Sequence, residues 1–161
     1  MTVVRPATPA DITEIHAMIV ELAVFEREPA STVAATEADM HEALFGSRPV
    51  GEAVIVEVDG AIAGHALFYT TFSTWEGTGG IWLEDLFVRP QFRSTGAGAA
   101  LFQHLARLTL ERGYTRYEWV ALNWNDLALD FYRRFGAETM NEWTLHRLSG
   151  EALQAAAKLS T

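Results

Sequence analysis

Apolar residues recur at helical spacing early in the chain. Ile12, Ile15, Ile19 and Leu22 fall on one stripe, which predicts an amphipathic helix facing a core. Thr8-Pro9-Ala10-Asp11 marks its start: a threonine cap, a proline suited to the first helical position, and an acid three residues after the cap. A short strand over residues 2–5 precedes it. Thr36 and Asp39 repeat the capping signal and predict a second helix that runs to Phe45 and stops at Gly46. The pattern then turns β-branched and apolar. Residues 53–58 and 61–72 read as strands joined by an Asp59-Gly60 hairpin turn. A polar, glycine-rich loop over residues 73–79 leads to a third strand, residues 81–88. Thereafter the chain alternates: helix 96–112 closed by Gly113, strand 114–122, helix 126–135 ended by Gly136, strand 142–148, and a terminal helix over 151–159. Helices first, then hairpin strands, then strand and helix in turn, predict an α/β fold with a mixed sheet flanked by helices.

Composition narrows the function. The 161 residues, 49% hydrophobic and 20% charged, suit a single globular domain spanning residues 1–161, without internal repeat or linker. Cysteine is absent, which excludes disulfides, zinc–thiolate sites and cysteine nucleophiles. Twelve Lys+Arg stand against 21 Asp+Glu, a formal net charge of −9. That balance argues against a nucleic-acid partner. A cationic substrate suits it, and so does plain solubility. No apolar run reaches the roughly 18 residues of a membrane helix, and the first residues lack a signal peptide's pattern, so no membrane and a cytoplasmic location are expected. The five histidines show neither HxxxH nor HExxH spacing, so no metal is expected. There is no GxSxG elbow.

Two segments carry candidate chemistry. Arg93-Ser94-Thr95-Gly96-Ala97-Gly98 lies between a strong strand and a strong helix. Glycine lets a backbone approach a ligand closely, and the first helical amides lack partners and carry the positive end of the helix dipole. The turn therefore reads as a pyrophosphate seat, to which Arg93 can add a forked cation. A bland turn before a helix is the competing reading. The dinucleotide fingerprint fails because Leu101 stands at its third glycine, and no GK[ST] follows for a P-loop. The second segment, Ile81-Trp82-Leu83-Glu84-Asp85-Leu86-Phe87-Val88, sets two acids in an apolar strand. Alternation starts Glu84 and Asp85 on opposite faces unless a bulge re-aims one. Buried carboxylates need compensation from water, a cation, hydrogen bonds or a proton, and a strand end reaching solvent competes with a ligand site.

Arg-x-x-Gly-x-Gly between strand and helix resembles the acetyl-CoA pyrophosphate motif of the GNAT N-acetyltransferase superfamily. Leu83-Glu84-Asp85-Leu86-Phe87-Val88 resembles the strand before it. Asn123-Trp124-Asn125-Asp126, Ala128-Leu129-Asp130-Phe131-Tyr132 and Phe135-Gly136-Ala137 resemble the family's next loop and helix. Within the superfamily the likeness is to the diamine (spermidine/spermine or thialysine) acetyltransferases, which Leu22-Ala23-Val24-Phe25-Glu26 also fits. The resemblance implies the GNAT fold, a mixed, mostly antiparallel sheet flanked by helices, and a homodimer. It implies acetyl transfer from acetyl-CoA, as co-substrate, to a primary amine of a small polycationic acceptor, a polyamine, diamine or thialysine-like molecule. Leu86, Phe87 and Val88 would contact acetyl-CoA through the backbone. Arg93, Ser94, Thr95, Gly96, Ala97, Gly98 and Ala99 would hold its pyrophosphate. Asn125, Asp126, Leu127 and Ala128 would touch the pantetheine side. Phe25, Glu26, Glu84, Asp85, Glu118, Trp119, Val120 and Glu142 would line the amine site. Ser94 stands where the group often has glycine, Phe25 stands where it often has tyrosine, and the segment after Ala137 is shorter.

The implied catalytic residues are Glu84 and Tyr132. An alkylammonium with a pKa of ~10.4 is almost wholly protonated at neutral pH, yet the neutral amine must attack. Direct transfer to a carboxylate at ~4.3 is steeply uphill, so Glu84 is expected to position the amine and pass its proton through water. Tyr132 would protonate the departing thiolate, although as a residue on an apolar helix face it also reads as a core aromatic. Two alternatives stay open: the same chemistry on an amino acid, an antibiotic or a protein lysine, and a non-catalytic acyl-CoA-binding sensor, which would need neither Tyr132 nor the acids.

Overall fold

The computed structural model describes residues 1–158. Strand β1 (Thr2–Pro6) leads through a 3-10 turn, Pro9–Asp11, into helix α1 (Ile12–Phe25). The Asp11 carboxylate closes the helix start by accepting from the Thr8 amide at 2.7 Å and the Thr8 hydroxyl at 2.8 Å. Both terminal nitrogens of Arg5 donate to the same carboxylate at 2.8 Å. That fork holds Asp11 well below the usual carboxylate range and ties β1 to α1. Helix α2 (Glu37–Phe45) starts on Thr36, whose hydroxyl accepts from the Asp39 amide at 3.2 Å.

Strands β2 (Glu52–Val58) and β3 (Ala61–Ser73) turn around Asp59 and Gly60, at φ 51° and 83°. Such paired positive angles match the twist of a two-residue hairpin. Strand β4 (Thr78–Val88) runs antiparallel to β3, helix α3 (Ala97–Glu111) crosses over, and strand β5 (Arg116–Trp119) returns parallel to β4. The sheet order is β1-β2-β3-β4-β5, antiparallel except at its last pair. The pattern predicts a mixed sheet, and the resemblance implies the mostly antiparallel one found here.

Each sheet face carries a core. On one, Leu101 and Leu105 of α3 pack on Val54, Val56, Phe68, Ile81 and Leu83. On the other, Ile12, Ile15 and Met18 of α1, with Met40 and Leu44 of α2, cover Ala53, Ile55 and Phe87. Ile19 and Leu22, the rest of the predicted stripe, pack at the edge of this second core. Each large apolar side chain so buried contributes about 1.5–3 kcal/mol.

Two units divide the chain, the first Met1–Val120. The second, from Ala121 onward, holds helix α4 (Asp126–Arg134) and helix α5 (Gly150–Lys158). Two expectations are corrected. The strand expected over residues 114–122 forms only over Arg116–Trp119. Residues 142–148, expected as a last strand, form none, and all of them are exposed. Apolar alternation supplies no partner for backbone N–H and C=O groups, and among the described residues no neighbouring strand takes this segment up. Residue Leu159, placed at the end of the terminal helix, lies outside the described residues.

Candidate active site

The two acids of β4 owe their placement to a bulge. Leu67 of β3 lies opposite Asp85 and Phe68 lies opposite Leu83, so Glu84 is an extra residue on β4. The side-chain alternation changes phase there. Ile81 and Leu83 belong to the α3-side core, and so do Leu86 and Val88. Trp82 and Glu84 before the bulge, and Asp85 and Phe87 after it, therefore share the opposite face, toward α1. A regular strand would have sent one acid to each side. The Trp82 indole N–H donates to Glu84 Oε2 at 3.0 Å. Burial, then the charges of Glu84 and Glu26, push the half-buried Asp85 up to about 6. Glu26 caps the C-terminus of α1, and burial followed by the charge of Glu28 raises it too. Three carboxylates from two elements thus converge where a cation would relieve them. Glu118 of β5 lies in register with Trp82 and adds a fourth acid to this face, one that Arg116 approaches at 4.0 Å. Trp119, its neighbour, turns the other way and packs edge-on against Phe102 of α3, ring centroids 5.1 Å apart. The acidic face therefore gathers Glu26, Glu84, Asp85 and Glu118, but not Trp119. Val120 is exposed beyond the end of β5.

Past the bulge, the sheet opens. Pairing of β4 with β5 reaches Leu83 opposite Trp119 and stops, whereas β4 runs on to Val88. The backbone edge of Leu86, Phe87 and Val88 has no β5 partner among the described residues, which suits a ligand that needs main-chain donors and acceptors. The glycine turn follows directly. Ser94 has φ 66° and Gly96 φ 88°, two left-handed residues that fold the chain back into α3. The left-handed angle explains why glycine suits position 94. No side chain caps α3, so its first amides point outward with the helix dipole behind them. A Cβ on Gly98 would meet only Val88 Cγ2, at 3.8 Å, so the fold itself does not demand glycine there. An open space over uncapped amides fits a diphosphate. Arg93 has further tasks: its Nε donates to the Val88 carbonyl at 3.2 Å, and its guanidinium carbon lies 4.7 Å over the Phe25 ring. A groove of about 400 Å³ runs beside this turn, lined by Val20, Val24, Phe25, Phe87, Pro90 and Arg93. Phe25 is thus a wall under Arg93 as much as a neighbour of Glu26.

The second unit places the remaining candidates by itself. Asn125 caps α4, its side-chain oxygen accepting from the Ala128 amide at 3.2 Å, so that one amide is already engaged. Asp126 and Leu127 are exposed in the first turn. Tyr132 is half-buried, edge-on to Phe131 at 5.3 Å. Glu142 is exposed in the segment that forms no strand. Trp82, which the sequence offers as one of five tryptophans suited to packing, and Tyr69, which it does not single out, stack at 6.3 Å in line with Glu118. The signal for Trp82 was its position two residues before Glu84.

An opened β4 edge followed by a glycine-cradled helix start is the arrangement that the acyl-CoA motif implies, and the comparisons decide the family. Residues 14–137 match the acetyltransferase (GNAT) family model. The chain belongs to the GNAT acetyltransferase family. An L-ornithine N5-acetyltransferase of Arabidopsis thaliana is 30% identical over 98% of this chain and 88% of its own length. A thialysine N-epsilon-acetyltransferase of Mus musculus is 31% identical over 95% of each chain. Among solved structures, an integron cassette protein from the mobile metagenome of V. cholerae superposes with a TM-score of 0.81 at 23% identity, covering 98% of each chain. The chain is therefore an acetyltransferase-family enzyme, in a family whose general acyl donor is acetyl-CoA; the relatives named for ornithine and thialysine match the diamine group, and tyramine N-feruloyltransferases of Nicotiana tabacum are 33% identical over 74% of this chain and 52% of their own length. Among the described residues no helix is long and apolar enough to cross a membrane, and no group of three or more His, Asp or Glu residues is placed to hold a metal ion.

Proposed function

We propose that this GNAT enzyme moves an acetyl group from acetyl-CoA to a primary amine of a small polycationic acceptor: a diamine, a polyamine or a thialysine-like molecule. The observation that carries the reading is the acidic face on which the β4 bulge sets Glu84 and Asp85 beside Glu26. An ammonium would offset the mutual repulsion and desolvation that push Asp85 upward. Relatives named for ornithine and thialysine, which carry more than one amine, support it.

Acetyl-CoA supplies an acetyl thioester, whose carbonyl carbon a neutral amine attacks while coenzyme A leaves as thiolate. The amides of residues 96–99 and the side chain of Arg93 would hold the diphosphate, and the edge of Leu86, Phe87 and Val88 beyond the end of β5, where Arg93 already engages the Val88 carbonyl, would receive the pantetheine arm. Glu84 orients the amine and accepts its proton through water, since a carboxylate that bound the ammonium directly would favour its charged form. Asp85 and Glu26 hold the charge of the acceptor's other end. By its place in the motif, Tyr132 is the acid that protonates the thiolate and is reprotonated from water, and Asn125, Asp126, Leu127 and Ala128 belong to the pantetheine side. We extend the reading to one functional domain over residues 1–161, on the family match that runs from residue 14 to residue 137, and to a cytoplasmic homodimer.

Thiol release from acetyl-CoA, followed with a panel of amines, tests this. Diamines, polyamines and thialysine should accelerate release, with kcat/KM at least tenfold above monoamines of equal length, as expected when a second ammonium pairs with a partly buried carboxylate. Release that no amine accelerates would leave a coenzyme-binding sensor. Equal rates with monoamines would remove the acidic face from recognition.

A further inference from the structure

We propose that Trp82 is a positioning residue of the acceptor site: its indole N–H fixes the Glu84 carboxylate in the orientation that meets the amine. The inference rests on the reading above that Glu84 faces the acceptor, and adds what holds it there. Glu84 is an exposed bulge residue. A glutamate so placed samples several rotamers, most of them useless for receiving an amine. Here the Trp82 indole donates to Oε2 at 3.0 Å, and Oε1 has no protein donor among the described residues. One oxygen is anchored and the other left for the acceptor.

The indole is itself fixed. Trp82 stacks on Tyr69, the rings 6.3 Å apart and 27° from parallel, and the two residues are cross-strand partners on the face toward α1. Sheet pairing sets the tyrosine, the tyrosine sets the plane of the indole, and the edge of the indole aims its donor at Glu84. The phase change of β4 makes this possible. Trp82 and Glu84 lie two residues apart on one face, just before the bulge sends Asp85 to the same side. Arg116 of β5, on the same face, is paired with Glu76 at 2.9 Å and lies 4.0 Å from Glu118, and the carboxylates gathered around Glu84 are Asp85 of β4, Glu26 of α1 and Glu118 of β5. Without a donor, Glu84 would swing away from them. An indole N–H is a neutral donor that restrains the carboxylate without cancelling the charge an ammonium needs, as an arginine at position 82 would.

A double-mutant cycle tests the proposal with Trp82→Phe, which keeps a ring against Tyr69 and removes the donor, and Glu84→Ala. Trp82→Phe should lower kcat/KM for a diamine by about three- to tenfold, the scale of one hydrogen bond to a charged group. The KM for acetyl-CoA should stay within about twofold, as expected for a residue outside the coenzyme cradle. In the Glu84→Ala background, Trp82→Phe should have no further effect on the amine reaction. Two effects that multiply would make Trp82 a packing residue and overturn the proposal. A Glu84→Ala enzyme with full amine-dependent turnover would instead remove Glu84 from the reaction, and the proposal with it. Should Trp82→Phe fail to fold, the five indole N–H resonances of the native protein give a second reading. Glu84→Ala should shift one of them and leave the others in place, and five unmoved signals would show that no indole holds Glu84.

Discussion

Asp85 ties stability to function at a single carboxyl group. Its pKa sits near 6 against an ordinary 3.8, through burial first and then through Glu84 and Glu26. The folded protein therefore keeps this proton over a range in which the unfolded chain has lost it. The sign follows: the group subtracts nothing below about pH 4, and its penalty grows through the window up to pH 6. Asp85→Asn should thus raise the free energy of unfolding at pH 8 by as much as about 3 kcal/mol and leave it nearly unchanged at pH 4. The same substitution should weaken a dicationic acceptor and raise its KM. Urea unfolding at the two pH values, beside amine kinetics, reads both effects; equal stabilisation at both would mean that the charge of Asp85 is not strained. The adjacency of Glu84 and Asp85 was legible in the sequence. Their common face was not, because the bulge arises from the register of β4 against β3, which local alternation does not encode.

At the scale of elements, the start of α3 carries the claim that the acyl donor is held by the backbone. Arg-x-x-Gly-x-Gly was readable because strand, glycines and helix follow one another along the chain. Gly98 separates stability from binding. Its Cβ position is open but for Val88 Cγ2 at 3.8 Å, so Gly98→Ala removes a flexible residue from a helix and should stabilise the fold by about 0.5–1 kcal/mol. A methyl over the first amides of α3 should also obstruct a diphosphate and weaken coenzyme A tenfold or more, by the loss of charge-assisted bonds. Calorimetric titration with coenzyme A and thermal unfolding should therefore move in opposite senses. A stabilised variant that binds coenzyme A as the native protein does would place the diphosphate elsewhere. Elements whose existence depends on a neighbour were less readable. Residues 142–148 alternate like a strand and form none, and β5 stops at Trp119 although apolar residues continue. Single-chain periodicity reports which faces want burial, not which edges find a partner.

For the molecule as a whole, two buried titrations oppose each other. His65, in the centre of β3, is fully buried, and neither ring nitrogen has a hydrogen-bond partner among the described residues. Burial, helped by the charge of Arg89, lowers it to about 4 from an ordinary 6.5. Arg89 is held in place by Glu14 at 2.9 Å and Glu21 at 3.0 Å, both on α1, so its charge stays beside the ring. The folded state withholds a proton that the unfolded chain binds, and stability is lost as the pH falls from 6.5 toward 4, by up to about 3 kcal/mol. Over nearly the same window Asp85 contributes in the other direction, since the fold binds its proton more tightly than the unfolded chain does. The two nearly cancel, so the native protein should hold an almost level stability between pH 6.5 and 4. Below that, acid lability begins as Asp11, kept ionised by Arg5, is finally protonated. Single substitutions should unmask each slope. Asp85→Asn leaves His65 unopposed and should lose stability steadily on acidification. His65→Leu removes two unsatisfied nitrogens and should gain stability as the pH drops from 6.5 to 4, because the proton uptake of Asp85 then acts alone. Urea unfolding of the three proteins across that range decides the matter: parallel profiles for all three would mean that neither group changes its protonation on unfolding.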